Sequence, residues 1–241
     1  MIALRSLGIV NLERGLPPGA QLPEPKPGSL LNPATYEFPV ITETAEGAWS
    51  ERVIRGDPAL EHACVAAARR LVQRGAVAIS SNCGFFIRHQ AAVAASVNVP
   101  VVMSSLLLAP TLLRQLPPSA KLAVVTADSR HCSVDLLALD DPAERSRVVI
   151  GGIENGQWFQ NVMKDWSQNR AELAPPSNYH ADLEPDVAAC VTRLRKAHPE
   201  VAALLFECTG FPLVTTAIRR TTGLPIYDIT TLCRMTIESV F

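Results

Sequence analysis

Short apolar runs alternate with helical stretches along almost the whole chain, and this alternation limits the fold more than any other feature. ALRSLGIVN (3–11), AVAIS (76–80), VPVVM (99–103), KLAVVT (121–126), RVVIG (147–151), VAALLF (201–206) and PIYDI (225–229) read as strands. Most have the continuous apolar character of strands covered on both faces. Asp57-Pro58 opens a helix with an N-cap and a first-position proline, and Gly75 closes it. Leu60, Ala63, Cys64, Ala67 and Leu71 form its one buried face. Further helices are expected near 85–97, over 105–115, from about Ser129, over 185–197, over 212–222 and from the last strand to Phe241. Residues 153–183 show no clear period. Strands joined through helices require right-handed crossovers and a parallel sheet, so the fold class is α/β.

The pattern occurs twice. Cys83 to Pro100 spans 17 residues and so does Cys208 to Pro225. At the same offset AVAI (76–79) lies over VAAL (201–204), Phe86 over Phe211, Ala92 over Ala217, Val93 over Ile218, and Val99-Pro100-Val101 over Leu224-Pro225-Ile226. Each half therefore reads as strand, cysteine, helix, proline, strand. The boundaries implied are 1–115 with 225–241 for the half carrying Cys83, and 116–224 for the half carrying Cys208.

Charge and composition exclude whole classes of function. Among 241 residues, Lys+Arg number 22 against 23 Asp+Glu, a net charge of -1, so the one-signed field that nucleic acid demands is missing. A chain that is 48% hydrophobic and 19% charged is expected to be a soluble globular protein. Gln90–Leu113 carries no charge, but Asn98, Pro100 and Pro110 interrupt it, so no membrane span is expected. The start, MIALRSLGIVN, lacks a cleavage pattern, and six cysteines without CxxC or regular spacing do not make a disulfide framework. The expected setting is cytoplasmic. Gly15–Pro39 holds seven prolines and reads as a long, functional loop.

The two repeated cysteines carry the chemistry. Each follows the carboxyl end of a parallel strand, where open α/β sheets bind ligands, and precedes a helix whose amino end favours thiolate. If the halves pack about a pseudo-twofold axis, two opposed thiols can take a proton from one face of a carbon and return one to the other without a cofactor. Donors for a substrate carboxylate are Asn82 and Thr209 beside the cysteines, with Ser81, Gly84 and Gly210, then Thr126 at the end of KLAVVT and Asn32 and Thr35 in the proline-rich loop. Ser80, Ser104 and Ser105 are further candidates. Glu207 adjoins Cys208, but successive side chains of an extended segment point to opposite faces; if it reaches the thiol, its charge raises the pKa. Cys64, Cys190 and Cys233 read as core residues, and the five histidines have no metal-ligand spacing. GGIENG (151–156) has the wrong glycine spacing for a dinucleotide fingerprint.

SNCGFF (81–86), FECTGFP (206–212) and NPATYEFPV (32–40) resemble the aspartate/glutamate/hydantoin racemase superfamily. The resemblance implies two pseudo-symmetric Rossmann-like lobes with parallel sheets and an interlobe active-site cleft. It implies a cofactor-independent isomerase of amino-acid metabolism, a racemase or epimerase in which Cys83 and Cys208 are the acid/base pair. No cofactor or metal is expected. The partner is a small-molecule substrate, an amino acid or related α-substituted acid; a homodimer is permitted. The motifs also depart from the family. Cys83-Gly84-Phe85 replaces the usual Cys-Asn-Thr, Cys208-Thr209-Gly210 replaces Cys-Thr-His, and Asn11-Leu12-Glu13 stands where Asp-Ser-Gly is usual. A hydantoin racemase, a maleate isomerase or an arylmalonate decarboxylase-like enzyme is an alternative within the superfamily. A small-molecule sensor is the alternative outside it.

Overall fold

The computed structural model describes residues 5–16, 24–167 and 179–240. The start of the expected first strand, part of the proline-rich segment, part of 153–183 and Phe241 lie outside the described residues. In chain order the elements are β1 (Ser6–Glu13), β2 (Val40–Trp49), α1 (Ser50–Arg55), α2 (Glu61–Gln73), β3 (Ala76–Ser81), α3 (Gln90–Ser96), β4 (Val101–Val102) and α4 (Ala109–Gln115). Then come β5 (Lys121–Thr126), α5 (Pro142–Ser146), β6 (Val148–Gly152), α6 (Gln157–Ser167), α7 (Tyr179–Ala197), β7 (Val201–Phe206), α8 (Pro212–Thr222), β8 (Ile226–Tyr227) and α9 (Ile229–Ser239). Short 3-10 turns precede several of the helices.

The chain divides into two compact units. One holds Glu24–Ser104 with β1 and α9; the other holds Ser105–Asp228. Residues 105–115 and 225–228 thus fall in the second unit. The first contains a four-stranded sheet of order β2-β1-β3-β4 and the second one of order β6-β5-β7-β8, every strand pair parallel. This is the α/β fold that the alternation requires. Even an irregularity is repeated. Ser6 pairs with Ala76 but Leu7 with Ala78, and Lys121 pairs with Val201 but Leu122 with Ala203.

In the first unit Leu7, Ile9, Val10, Ala78 and Ile79 are buried on the two central strands, and α2 covers them with Cys64, Ala67, Ala68 and Leu71. In the second, Ala123, Val125, Leu204 and Phe206 meet Val187, Cys190 and Val191 of α7. Phe206 stands edge-on to Phe211 with ring centroids 5.5 Å apart, and Phe211 meets Trp158 of α6 at 6.3 Å.

Three local expectations are corrected. β2 was not expected, because its sequence, VITETAEGAW, mixes polar and apolar residues; as an edge strand it stays half-buried. No long helix starts at Ser129. The Asp128 carboxylate takes the Arg130 N–H, the Arg130 guanidinium and the His131 ring, and this holds 128–131 in a turn. Finally, 84–89 forms 3-10 turns and the α-helix begins only at Gln90.

Candidate active site

In the first unit the carboxyl ends of β1, β3 and β4 are tied together by side chains from Ser-Ser-Asn before Cys83. The Ser80 hydroxyl donates to Val102 O at 2.8 Å, and Ser81 donates to Met103 O at 2.6 Å and to Cys83 O at 2.9 Å. Asn82 accepts the Leu12 N–H at 2.8 Å through Oδ1, and its own N–H bonds Val10 O. These polar groups are thus used to fix backbone. Their effect is to hold Cys83, half-buried, in extended conformation at the start of the turn that opens with Gly84. Asn32 and Thr35 belong to the same unit. Asn32 caps the turn Pro33–Thr35 by accepting the Ala34 N–H and donates to Pro25 O, while Thr35 donates to Ser29 O. Their side chains hold the loop rather than presenting donors.

In the second unit the corresponding edge carries more charge. Glu207 follows β7 with 1% exposure and accepts the Thr126 hydroxyl at 2.8 Å. Thr126 Oγ1 also lies 3.4 Å from the Asp128 N–H. Burial pushes the Asp128 carboxyl up, but hydrogen bonds from Arg130 and His131 outweigh it, so the group is held below the usual range. Beyond β6, Glu154 accepts the Ser129 hydroxyl at 2.6 Å and the Ser129 N–H at 3.2 Å. Gly152 makes that contact possible: a Cβ there would stand 1.8 Å from Glu154 Oε2 and 2.7 Å from Ser129 N. The glycines of GGIENG therefore serve local packing. Among the described residues, no group of three His, Cys, Asp or Glu is placed to hold a metal ion.

Cys208, half-buried, begins the turn that leads into α8. Its thiol is pushed up to about 12, first by burial and then by the adjacent Glu207 charge; N–H groups of Gly210 and Phe211 pull the other way and lose. The expectation that a helix amino end would make this cysteine a ready thiolate is corrected by that balance. Glu207, whose reach the sequence left open, raises the thiol pKa through its charge. Replacing Glu207 by Gln is expected to speed alkylation of Cys208 by iodoacetamide at pH 8, about tenfold for each pKa unit recovered. An unchanged rate, read by mass spectrometry, would leave burial as the whole cause. Cys64 and Cys190, raised by burial to about 12 and about 11, are inert core thiols.

The structure thus gathers Ser81, Asn82, Cys83 and Gly84 at one sheet edge, and Thr126, Cys208, Thr209 and Gly210 at another. Sequence reasoning missed Trp158, Asp128 and the ion pair of Asp128 with Arg130. Trp158 lies in the stretch without clear period, although QWFQNVMKDW does repeat apolar residues at helical spacing.

No family model matches the chain. Among solved structures it is similar to an allantoin racemase from Klebsiella pneumoniae (TM-score 0.58, 12% identity, 98% of this chain and 86% of that one). It is also similar to a glutamate racemase from Francisella tularensis in complex with D-glutamate (0.56, 13%, 99% and 81%) and to an aspartate racemase homologue from Pyrococcus horikoshii (0.55, 14%, 98% and 98%). The chain has the α/β fold of these racemase structures. Its curated relatives carry a different activity. A dimethylsulfoniopropionate lyase of Durusdinium sp. clade D is 28% identical over 240 residues, 92% of this chain and 71% of that protein. Dimethylsulfoniopropionate lyase 5 of Emiliania huxleyi is 30% identical over 175 residues, 69% of this chain, of which the chain spans only 34%. Lyase 3 of the same organism is 26% identical over 248 residues, 98% of this chain and 60% of that protein. The expectation of an isomerase, a cofactor-independent amino-acid racemase, is therefore corrected: the relatives named are lyases, and the racemase likeness supports the fold alone. No described helix is long and apolar enough to cross a membrane.

Proposed function

We propose that this chain is a carbon–sulfur lyase that eliminates dimethyl sulfide from dimethylsulfoniopropionate or a closely similar β-sulfonium carboxylate, leaving acrylate. The observation that carries this reading is the likeness to the Durusdinium lyase over 92% of the chain. A base removes the proton on the carbon α to the carboxylate, that electron pair forms the C=C bond, and the C–S pair departs on neutral dimethyl sulfide. The zwitterion yields an acrylate anion, a neutral sulfide and one proton, so the step needs no oxidant or reductant.

Cys208 is the base in this proposal. A thiol held up at about 12 rests protonated, and its thiolate, once formed, is a strong base. The substrate's cationic sulfur opposes the Glu207 charge and favours the thiolate on binding. Cys83, its backbone fixed by Ser81 and Asn82, has the subordinate role, because elimination removes one proton from carbon and returns none. Thr126 and Thr209 are positioning residues.

The direct test is headspace chromatography of dimethyl sulfide, with acrylate measured in parallel, from purified protein and dimethylsulfoniopropionate. Release at the uncatalysed rate from folded protein would overturn the reading. The pH profile tests the base. Raising pH deprotonates Cys208, so kcat/KM is expected to climb from neutral into alkaline solution, and Glu207→Gln should move that limb to lower pH. A profile that falls above neutrality would remove Cys208 from the role.

A further inference from the structure

Along a strand, the N–H and C=O of one residue point to the same side and those of the next residue to the other. Pro39 O accepts the Leu7 N–H at 2.8 Å, so the odd-numbered residues at the start of β2 turn their backbone groups toward β1. Those of Thr42 and Thr44 therefore point away from the sheet, along the outer edge that β2 forms. An edge strand of ten residues with open carbonyls is a template on which another strand can pair.

These two carbonyls are covered. Arg74, at the end of α2, donates from Nη1 to Thr42 O at 2.8 Å, and Arg70 of α2 donates from Nη2 to Thr44 O at 3.0 Å. Glu43, between the two carbonyls in sequence, holds both guanidinium groups: it accepts Arg70 Nε at 2.9 Å through Oε2 and Arg74 Nη1 through Oε1. Farther along, the pairing register shifts between Asn11 and Glu13, Gly47 takes a φ of +72°, and Arg52 donates to Gly47 O at 2.9 Å. A bulge of this kind turns an edge out of line for pairing.

The second unit has the same device on its own outer strand, β6. The Leu122 N–H bonds Arg147 O and the Ile153 N–H bonds Thr126 O, so Gly152 turns its backbone outward. Arg193 of α7 donates from Nη2 to Gly152 O at 3.2 Å. In each unit the helix that supplies the arginine leads into a central strand, α2 into β3 and α7 into β7.

We infer that Arg70 and Arg74, held by Glu43, close the β2 edge against strand addition by a second copy of this chain. A pairing strand would have to displace two charged donors and offer neutral N–H groups in their place, which bond carbonyls less strongly. Two copies meeting edge to edge about a twofold axis would also bring like clusters together. This closure is independent of the reaction proposed above.

The test is the mass of the intact protein in sedimentation velocity, read over a wide range of concentration after circular dichroism has established folding. Arg70→Gln with Arg74→Gln shortens both side chains and uncovers Thr42 O and Thr44 O; the double variant is expected to sediment at about twice the mass of the parent as concentration rises. Thr44→Pro in that background removes an N–H that points outward and leaves the β1 ladder intact, and should restore the parent mass. Glu43→Gln breaks the ion pairs while keeping both arginines, and should stay at the parent mass. If the double variant does not fold, the single Arg70→Gln, with and without Thr44→Pro, carries the same comparison. A mass equal to the parent's at every concentration for the uncovered variant would overturn the closure. So would association that persists through Thr44→Pro, because the contact would then lie away from this edge.

Discussion

Cys208→Ala is expected to lower kcat/KM for dimethyl sulfide release by about 10²–10⁴-fold, the range associated with losing a positioned general base. Cys83→Ala should retain measurable turnover. The asymmetry follows from the reaction. A racemase must deliver a proton to the face opposite the one it deprotonates, so two thiols carry equal weight; an elimination has one proton to move. The two surroundings differ in the same sense. Cys83 follows neutral Ser81 and Asn82, which tie backbone together, whereas Cys208 adjoins the buried Glu207 carboxylate. Measuring both variants with dimethylsulfoniopropionate, after circular dichroism confirms folding, decides the matter. Equal losses from the two replacements would return the cysteines to equivalent roles and count against Cys208 as the single base.

Phe206→Ala is expected to destabilise the protein by about 3–5 kcal/mol, the usual loss for truncating a fully buried aromatic residue. Phe206 has no exposed surface, packs edge-on against Phe211 and offers its carbonyl to the Ser105 hydroxyl at 2.7 Å. It is also the last residue of β7, immediately before Glu207 and Cys208. The cavity left by alanine therefore loosens the anchor of the site as well as the core. A fall in Tm of roughly 10 °C, with activity lost below the transition, is the anticipated result. Phe206→Leu should recover most of the stability, and a Tm unmoved by the alanine variant would mean that the core collapses around the gap at little cost.

Much of this architecture is written openly in the residues. β3, β5 and β7 are apolar runs that only a sheet covered on both sides can use, and the paired Cys83 and Cys208 reveal the duplication that the strand order then repeats. Less legible features depend on partners distant in sequence. β2 hides because an edge strand needs one buried side and so alternates Thr, Glu and Ala. The turn after β5 stays hidden because its logic lies in Asp128 binding Arg130 and His131, contacts no periodicity reports. The direction of the Cys208 pKa is set by how deeply the thiol sits and by where Glu207 points, and neither can be read from spacing. The reaction is hidden for a related reason. Proton removal beside a carboxylate begins both racemisation and elimination; the outcome turns on whether the next carbon bears a leaving group, which is a property of the substrate.

The helix α9 follows the last strand of the second unit yet completes the first. It packs against β3 and β4, Arg234 donates to Thr35 O at 3.1 Å, and the Arg5 guanidinium reaches Val240 O. During synthesis, β1 to β4 and α2 leave the ribosome early with α9 still unmade, while Ser105–Asp228 emerge afterwards with every strand of their own sheet in hand. The unit begun first is thus the one finished last, and vectorial synthesis favours closure of the Cys208 half before the Cys83 half.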